Sequence, residues 1–239
     1  MLALKNVTKK FGELIAVNDL SFTVEQGQIF GIAGPNGAGK STVYNLITGF
    51  YPYEGEIVFN GKNLSGMPPY KIARAGIART FQIPQIFPSL TVDTSLNVGS
   101  RFGSGTGLDP AHVDKIIEFL ELSEDRFTKT NKLNLMGKKK LMIGAALATK
   151  PGILMLDEPM AGSNAREIKA LMDLILRINQ EMGLTIIIIE HFMKVLTELT
   201  QELLIIESGS MICCDSPEKA TRDPKVIESY IGDAYAENN

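Results

Sequence analysis

The sequence predicts an α/β fold, in which buried parallel strands alternate with helices and an all-helical segment is inserted. Two fully apolar segments of strand length, Ile153–Leu156 and Thr185–Ile189, are the first observation, because unbroken apolar runs are typical of parallel strands covered on both faces. The second is the amphipathic segment Asn164–Met182, which lies between them and ends at Gly183. The third is the helical spacing of apolar residues within residues 88–149, which marks the insert.

The first third of the chain predicts strands joined by turns. Three segments have strand character, Asp19–Val24, Gln28–Ala33 and Glu56–Phe59, and Asn60-Gly61 follows the last of them as a turn signal. This pattern predicts that the first third of the chain consists mainly of strands joined by turns.

Two segments after the first strands have apolar residues at the spacing typical of helices. They are Pro68–Ala75 and Pro110–Leu122. Between them, Gly103–Gly107 is rich in Gly, Ser and Thr, which predicts a loop at a boundary of the insert.

Composition excludes several classes of function. The 239 residues carry a net charge of −3. Acidic and basic residues are interspersed, so the sequence has no basic stripe of the kind that indicates nucleic-acid binding. The longest apolar runs, such as Ile186–Ile189, are far shorter than a membrane span, and Met1–Val7 lacks the features of a signal peptide. Cys213 and Cys214 are adjacent in a predicted strand and point to opposite faces, so they indicate neither a disulfide framework nor a metal site. We expect a cytoplasmic protein.

A phosphate-binding loop is the strongest motif. It satisfies G-x-x-x-x-G-K-[ST] at every fixed position, in the residues Gly34, Pro35, Asn36, Gly37, Ala38, Gly39, Lys40, Ser41 and Thr42. The apolar strand Ile29–Ala33 leads into it and a helix from Lys40 to about Ile47 leads out, which is the setting that the motif requires. The motif predicts a nucleotide site in which Lys40 binds the β- and γ-phosphate oxygens and Ser41 binds Mg²⁺.

Two carboxylates end the apolar strand Ile153–Leu156. Asp157 and Glu158 follow it directly. Because burying uncompensated charge is costly, acids at the end of a buried strand indicate a functional site there. We expect Asp157 to interact with Mg²⁺, directly or through water, and Glu158 to be the general base for the attacking water.

With these two motifs placed, the chain resembles the ATP-binding cassette ATPases along nearly its whole length. The family's other motifs come in the family's order, as Phe11, Gln82 within Arg79-Thr80-Phe81-Gln82, Ala161-Gly162-Ser163-Asn164, and His191. The resemblance implies that Phe11 stacks on adenine, that Gln82 contacts Mg²⁺ and the attacking water, and that His191 steadies the γ-phosphate. The alternative interpretations are a core residue for Phe11, which we consider the weaker of its two, and for His191 an ordinary strand-end histidine with local hydrogen bonds.

The resemblance also implies an architecture. It is one ATPase domain over residues 1–239, with a P-loop NTPase (RecA-like) core, an antiparallel β subdomain and an inserted all-helical subdomain. We expect the β subdomain and first half of the core at residues 1–87, the helical subdomain at residues 88–149, and the rest of the core with a C-terminal tail at residues 150–239.

Several segments are similar to the ATPase subunits of branched-chain amino-acid importers. They are Thr48-Gly49-Phe50-Tyr51-Pro52, Ala78–Gln82, Asp157–Gly162, Ile189-Glu190-His191 and the tail at residues 216–232. The resemblance implies ATP and Mg²⁺ as cofactors, membrane subunits as partners, a solute-binding protein as an indirect partner, and a peripheral place on the inner face of the cell membrane. Importers of urea or another polar solute, a soluble cassette ATPase, and an ATP-sensing module with weak hydrolysis stay open as alternatives.

The loop from Phe81 to Leu90 has two interpretations. The resemblance implies that it carries motion to the membrane subunits, with Ile83, Ile86 and Phe87 in a docking groove. Ordinary core packing is the other interpretation of these three side chains.

The chain departs from the family at its signature, L-S-G-G-Q. That register falls on Leu133-Asn134-Leu135-Met136-Gly137, where only the leucine matches. Leu135 and Met136 place side chains where glycines leave clearance for the nucleotide of an opposite subunit. The three lysines at residues 138–140 are either a source of positive charge there or a solvated helix face. We therefore favour pairing with a different ATPase subunit over a homodimer.

Overall fold

The computed structural model describes residues 1–103, 105 and 107–229. Within them the strands are β1 (Leu2–Phe11), β2 (Leu14–Val24), β3 (Ile29–Ala33), β4 (Glu54–Phe59), β5 (Lys62–Asn63), β6 (Ile77–Arg79), β7 (Ile153–Asp157), β8 (Thr185–Ile189), β9 (Glu202–Glu207) and β10 (Ser210–Asp215). The α-helices are α1 (Lys40–Ile47), α2 (Pro69–Ala75), α3 (Val92–Gly103), α4 (Pro110–Phe119), α5 (Leu135–Leu147), α6 (Ala165–Met182), α7 (Met193–Leu199) and α8 (Pro217–Ala220). The fold is therefore α/β, as the sequence predicts.

The chain divides into two compact units. The first unit contains residues 1–69 and the chain from residue 185 onward, and the second contains Tyr70–Leu184. The first unit holds an antiparallel sheet in the order β2, β1, β4, β5. Its buried face is apolar and includes Leu4, Leu20 and Ile57, so the predicted β subdomain is present and antiparallel.

The first unit also holds a parallel arrangement of three strands. β3 pairs in parallel with β8 and with β9, and β10 extends β9 in the antiparallel sense. Every residue of β3 and β8 is buried, which explains why these strands show no alternation in the sequence. Helix α1 lies on this layer, where the Tyr44 hydroxyl donates to the Ile187 carbonyl at 2.8 Å.

Within its described residues, the second unit contains two short parallel strands and five α-helices. β6 pairs with β7, with Arg79 opposite Met155. Helix α6 begins with a capping box, in which the Asn164 side chain accepts from the Glu167 N–H while the Glu167 carboxylate accepts from the Asn164 N–H. It ends at Gly183, which has a φ of 64°. These local signals explain why both ends of this helix could be predicted.

Helices α3, α4 and α5 form the predicted helical insert. A side chain at Gly99 of α3 would lie 2.6 Å from the Ala145 carbonyl oxygen of α5, so the two helices approach closely there. The facing residues Leu96, Ile116 and Leu147 are buried. The insert therefore has an apolar core of its own within the second unit.

Three of the differences from the prediction concern β1, β6 and α3. β1 was missed because its alternation is broken by register shifts near Asn6, which has a φ of 49°. β6 was missed because it has three residues. Helix α3 continues through Gly103, so the predicted loop starts later than expected, and its Ser104 and Thr106 lie outside the described residues.

Among the described residues, none of the helices combines the length and apolar character that crossing a membrane requires. The part of the predicted tail beyond residue 229 lies outside the described residues.

Candidate functional site

The phosphate loop follows β3 and is shaped by close backbone approaches. Gly34 has a φ of 149°, and a side chain there would overlap the Ile206 carbonyl oxygen. Gly39 has a φ of 103°, and a side chain there would overlap the Ala16 carbonyl oxygen. Only glycine satisfies both the conformation and the space at these positions. The loop is thus fixed by β9 on one side and by β2 on the other.

The loop ends in the first turn of α1. Gly39 is the N-cap residue and has no side chain to cap the helix, so phosphate oxygens can accept from the N–H groups of Lys40, Ser41 and Thr42. Lys40 is buried, and its Nζ donates to the carbonyl oxygens of Gly34 and Pro35 at 2.7 Å each. The ammonium group therefore lies inside the loop, where an anion would bind.

His191 shares an edge of the sheet with this loop. In the parallel pairing of β3 with β8, Ile32 lies opposite Ile189, so Gly34 and His191 each follow that pair by two residues. The His191 side chain is exposed, and its backbone N–H donates to the carboxylate of the buried Glu190 at 3.2 Å. Carboxyl ends of neighbouring parallel strands are the usual place for ligands in α/β sheets. The structure thus brings His191 to the edge that carries the phosphate loop.

Phe11 ends β1 at the hairpin beside the loop. It lies opposite Leu14, and Ala16, two residues further along β2, is the residue that contacts Gly39. The Phe11 ring is partly exposed and meets the Tyr51 ring edge to face, with 5.2 Å between centroids. Lys9 Nζ lies 4.8 Å from the Phe11 centroid. Because its ring is partly exposed, Phe11 is not a core residue. An exposed aromatic ring can stack on a base.

In the second unit, Asp157 forms a buried ion pair. Arg79 Nη2 donates to Asp157 Oδ2 at 2.7 Å, and both side chains are less than a tenth exposed. The same guanidinium lies 5.1 Å from the ring centroid of Phe81. The pair compensates the charge of Asp157, which explains how an acid can end the buried strand β7.

Glu158 follows Asp157 and turns away from the strand. Its φ of 45° is left-handed, which is uncommon for a residue with a side chain. Gln82 Nε2 donates to Glu158 Oε2 at 2.5 Å. Because Gln82 follows β6 and Glu158 follows β7, the parallel pairing of these strands brings together two of the predicted site residues.

The signature segment begins helix α5. Asn134 is the N-cap residue, and its side-chain oxygen accepts from the Gly137 N–H at 2.7 Å. Leu135 and Met136 occupy the first two helical positions, and the Leu135 side chain is exposed. The segment therefore keeps a helix start with a polar cap but presents a leucine where the family has a glycine.

Sequence reasoning missed or misplaced three features. Tyr51 is absent from the predicted site residues, although its ring contacts that of Phe11 and makes it a candidate second aromatic beside a base. The turn at Gly209 was missed, and its N–H donates to the Ala38 carbonyl at 2.9 Å. The interpretation of all three lysines as a solvated face is wrong for Lys139, which is buried. None of these contacts has a local sequence signal, because each depends on residues distant in the chain.

The predicted metal ligands have suitable chemistry. Ser41, Gln82 and Asp157 offer hydroxyl, amide and carboxylate oxygens, which hard cations such as Mg²⁺ prefer. Among the described residues no cluster holds three or more His, Cys, Asp or Glu side chains that would suit a metal. Mg²⁺ is usually bound by only one or two carboxylates together with phosphate oxygens and water, and Asp157 is the one carboxylate among these predicted ligands.

Comparison with known proteins gives one family. A family model described as ABC transporter matches residues 17–161. The high-affinity branched-chain amino acid transport ATP-binding protein BraF of Pseudomonas aeruginosa is 34% identical to this chain, over 98% of each. LivG of Salmonella typhimurium, with the same description, is 36% identical over 98% of each.

Solved structures agree. The crystal structure of the ADP conformation of MJ1267, an ATP-binding cassette of an ABC transporter, superposes with a TM-score of 0.88 and 32% identity, over 97% of this chain and 98% of that chain.

Proposed function

Since the chain belongs to the ABC transporter family, we propose that it is the ATP-binding and ATP-hydrolysing subunit of an importer for branched-chain amino acids. The phosphate loop is the main support for this proposal. The Lys40 ammonium group lies inside the loop, and the N–H groups at the start of α1 have no side-chain cap, so both can bind the phosphates of a nucleotide. The names of BraF and LivG support the choice of solute, because these relatives match over nearly their whole length.

The first unit binds and orients the nucleotide. Phe11 stacks on adenine, with Tyr51 holding its ring from the side. The N–H groups of Gly37, Gly39 and Lys40 cradle the phosphates. Lys40 exchanges its bonds to the loop carbonyls for bonds to phosphate oxygens, and His191 donates to the γ-phosphate. These groups offset the charge that develops during phosphoryl transfer.

The second unit supplies the acid–base chemistry. Glu158 orients the attacking water and accepts its proton, while Gln82 holds the Glu158 carboxylate and contacts the same water. Asp157 and Ser41 are the residues that would hold Mg²⁺, and the ion would supply positive charge to the phosphate oxygens. Arg79 holds the Asp157 carboxylate in place.

Membrane subunits are the partners that fit the loop after β6. Ile83 and Phe87 are each more than half exposed, so core packing does not account for these two side chains. Large exposed apolar residues next to Gln82 suit contact with a helix of a membrane subunit. The chain would then sit peripherally on the inner face of the cell membrane, with a solute-binding protein as an indirect partner.

A second candidate is an ATP sensor with weak hydrolysis. The exposed Leu135 at the start of α5 favours it, because a leucine there hinders the close approach of an opposite nucleotide. ATP affinity with negligible turnover in the complete complex would identify this case.

Uptake by a reconstituted complex tests the proposal. The complex would be purified with its membrane subunits from the native cell, placed in vesicles with its solute-binding protein, and supplied with ATP and labelled leucine or urea. We expect ATP-dependent leucine uptake that is lost in the Lys40→Met variant. ATP-dependent urea uptake without leucine uptake would mean that the transported solute is urea and not a branched-chain amino acid. Uptake by the Lys40→Met complex would contradict the proposed role of the phosphate loop.

A further inference from the structure

Lys139 is a buried charged residue that the proposed reaction does not use. It lies in the first turns of α5 and is 3% exposed. Its neighbours differ, since Lys138 is half-buried and Lys140 pairs with the exposed Glu121 at 2.8 Å. Lysine is almost never fully buried unless its ammonium group is paired or hydrogen-bonded. The cost of burying Lys139 therefore calls for a specific role of its contacts.

Those contacts lie in one loop. Lys139 Nζ donates to the Ala161 carbonyl oxygen at 2.6 Å and to Ser163 Oγ at 2.7 Å. Bonds from an ionised donor are roughly twice as strong as neutral ones. The loop is thus bound to the first turns of α5 by an ammonium group that reaches two of its residues.

The same loop begins at Glu158. The Ala161 N–H donates to the Glu158 carbonyl at 3.1 Å, and the Ser163 N–H donates to the Met160 carbonyl at 3.1 Å. These two turns connect the residues that Lys139 holds to the left-handed backbone of Glu158. A left-handed residue with a side chain persists only where its surroundings fix it. Release of the loop end should therefore loosen the backbone at Glu158.

We propose that Lys139 is a positioning residue for hydrolysis, which fixes the loop of residues 158–163 and thereby the direction of the Glu158 carboxylate. The proposal rests on the ATPase function proposed above. Lys139 acts through the loop and touches neither nucleotide nor water in this role. It also links α5, which carries the altered signature, to the general base, so that a partner pressing on α5 can change the position of Glu158.

Lys139→Met tests this role, because methionine keeps an apolar stem of similar length and removes the ammonium group. The exposed Lys115 of α4 provides the matched control Lys115→Met. Each variant would be purified in the complete transporter complex. The measurements are kcat and KM for ATP, and hydrogen exchange of the Ala161 and Ser163 amides.

We expect Lys139→Met to lower kcat about 10–100-fold, the scale of a small misplacement of a catalytic group, with KM within about twofold. The two amides should exchange at least about tenfold faster, because their turns open more often. Lys115→Met should change neither. If the Lys139→Met complex does not assemble, Ser163→Ala, which removes one acceptor, is expected to give the same changes with smaller size.

Two results would overturn the proposal. One is a normal kcat in Lys139→Met, and the other is a lowered kcat with unchanged exchange of both amides, which would indicate a different cause. If the wild-type complex hydrolyses no ATP, the proposed function fails, and the exchange data still decide whether Lys139 holds the loop.

Discussion

Glu158 combines two features that suit a general base. Its backbone is left-handed, and Gln82 donates a hydrogen bond to its carboxylate. Glu158→Gln keeps the size of the side chain but cannot accept a proton, so we expect turnover to fall about 10²–10⁴-fold with ATP affinity retained. Steady-state hydrolysis and nucleotide binding by the complete complex measure both. Glu118→Gln, at an exposed position of α4, is the control, and unchanged hydrolysis in Glu158→Gln would remove Glu158 from this role.

The two cysteines of β10 should react slowly. Burial, together with the negative charges of Asp223 and Asp215, raises the pKa of Cys213. Burial, and then the hydrogen bond to Glu202 at 3.3 Å, raises the pKa of Cys214 well above the range of an ordinary thiol. Since the thiolate is the nucleophile, we expect alkylation of Cys214 at pH 8.5 to be at least about tenfold slower in the folded chain than in denaturant.

The raised pKa values of the two thiols also make the free energy of unfolding depend on pH. The folded pKa values of both thiols are raised, so their contribution to the free energy of unfolding is complete below the unfolded pKa of about 8.5. It is lost progressively at higher pH, because the unfolded chain releases these protons first. Urea unfolding between pH 8 and 10 should therefore show falling stability, and the fall should be smaller in a variant with Cys213→Ser and Cys214→Ser.

At the scale of elements, one ion pair joins β6 to β7. Removing Arg79 would leave Asp157 buried with its partner lost, so Arg79→Met should lower the free energy of unfolding by about 3–5 kcal/mol. Adding Asp157→Asn should recover part of that loss, because no unpaired charge then remains. The exposed pair of Lys5 with Glu56 is the control, and Lys5→Met should cost about 1 kcal/mol or less. Equal losses in Arg79→Met and Lys5→Met, measured by urea unfolding, would contradict this account.

Elements with local signals could be predicted and those that depend on distant partners could not. β7, β8 and α6 were predicted within one residue, because apolar runs and an Asn164 cap mark them. The phosphate loop was predicted for the same reason. β1 and the burial of Lys139 were missed, since the first contains register shifts and the second depends on contacts with Ala161 and Ser163 more than twenty residues away. Sequence patterns report burial and helix caps, but not which loop a lysine will bind.

At the scale of the whole molecule, the chain combines an intact phosphate loop, which favours ATP hydrolysis, with an altered signature, which disfavours it. We assign hydrolysis to Lys40, Glu158 and His191, whereas the start of α5 presents Leu135 and Met136 in place of glycines. A homodimer would place the altered segment opposite both nucleotides. A heterodimer with a different ATPase subunit would place an intact signature opposite the phosphate loop of this chain, and we propose this assembly for that reason.

Turnover of the isolated chain distinguishes the two assemblies. We expect the chain alone to hydrolyse ATP about 10²-fold more slowly than a complex with a second, different ATPase subunit, the scale of losing one electrostatic donor. A variant that carries Asn134→Ser, Leu135→Gly, Met136→Gly and Gly137→Gln should raise the activity of the isolated chain, because it restores clearance and N–H donors at the start of α5. Ordinary transporter rates from the unmodified chain alone would mean that Leu135 and Met136 already form a working signature. In that case the homodimer would be the functional assembly, and the exposed leucine would contact the opposite nucleotide.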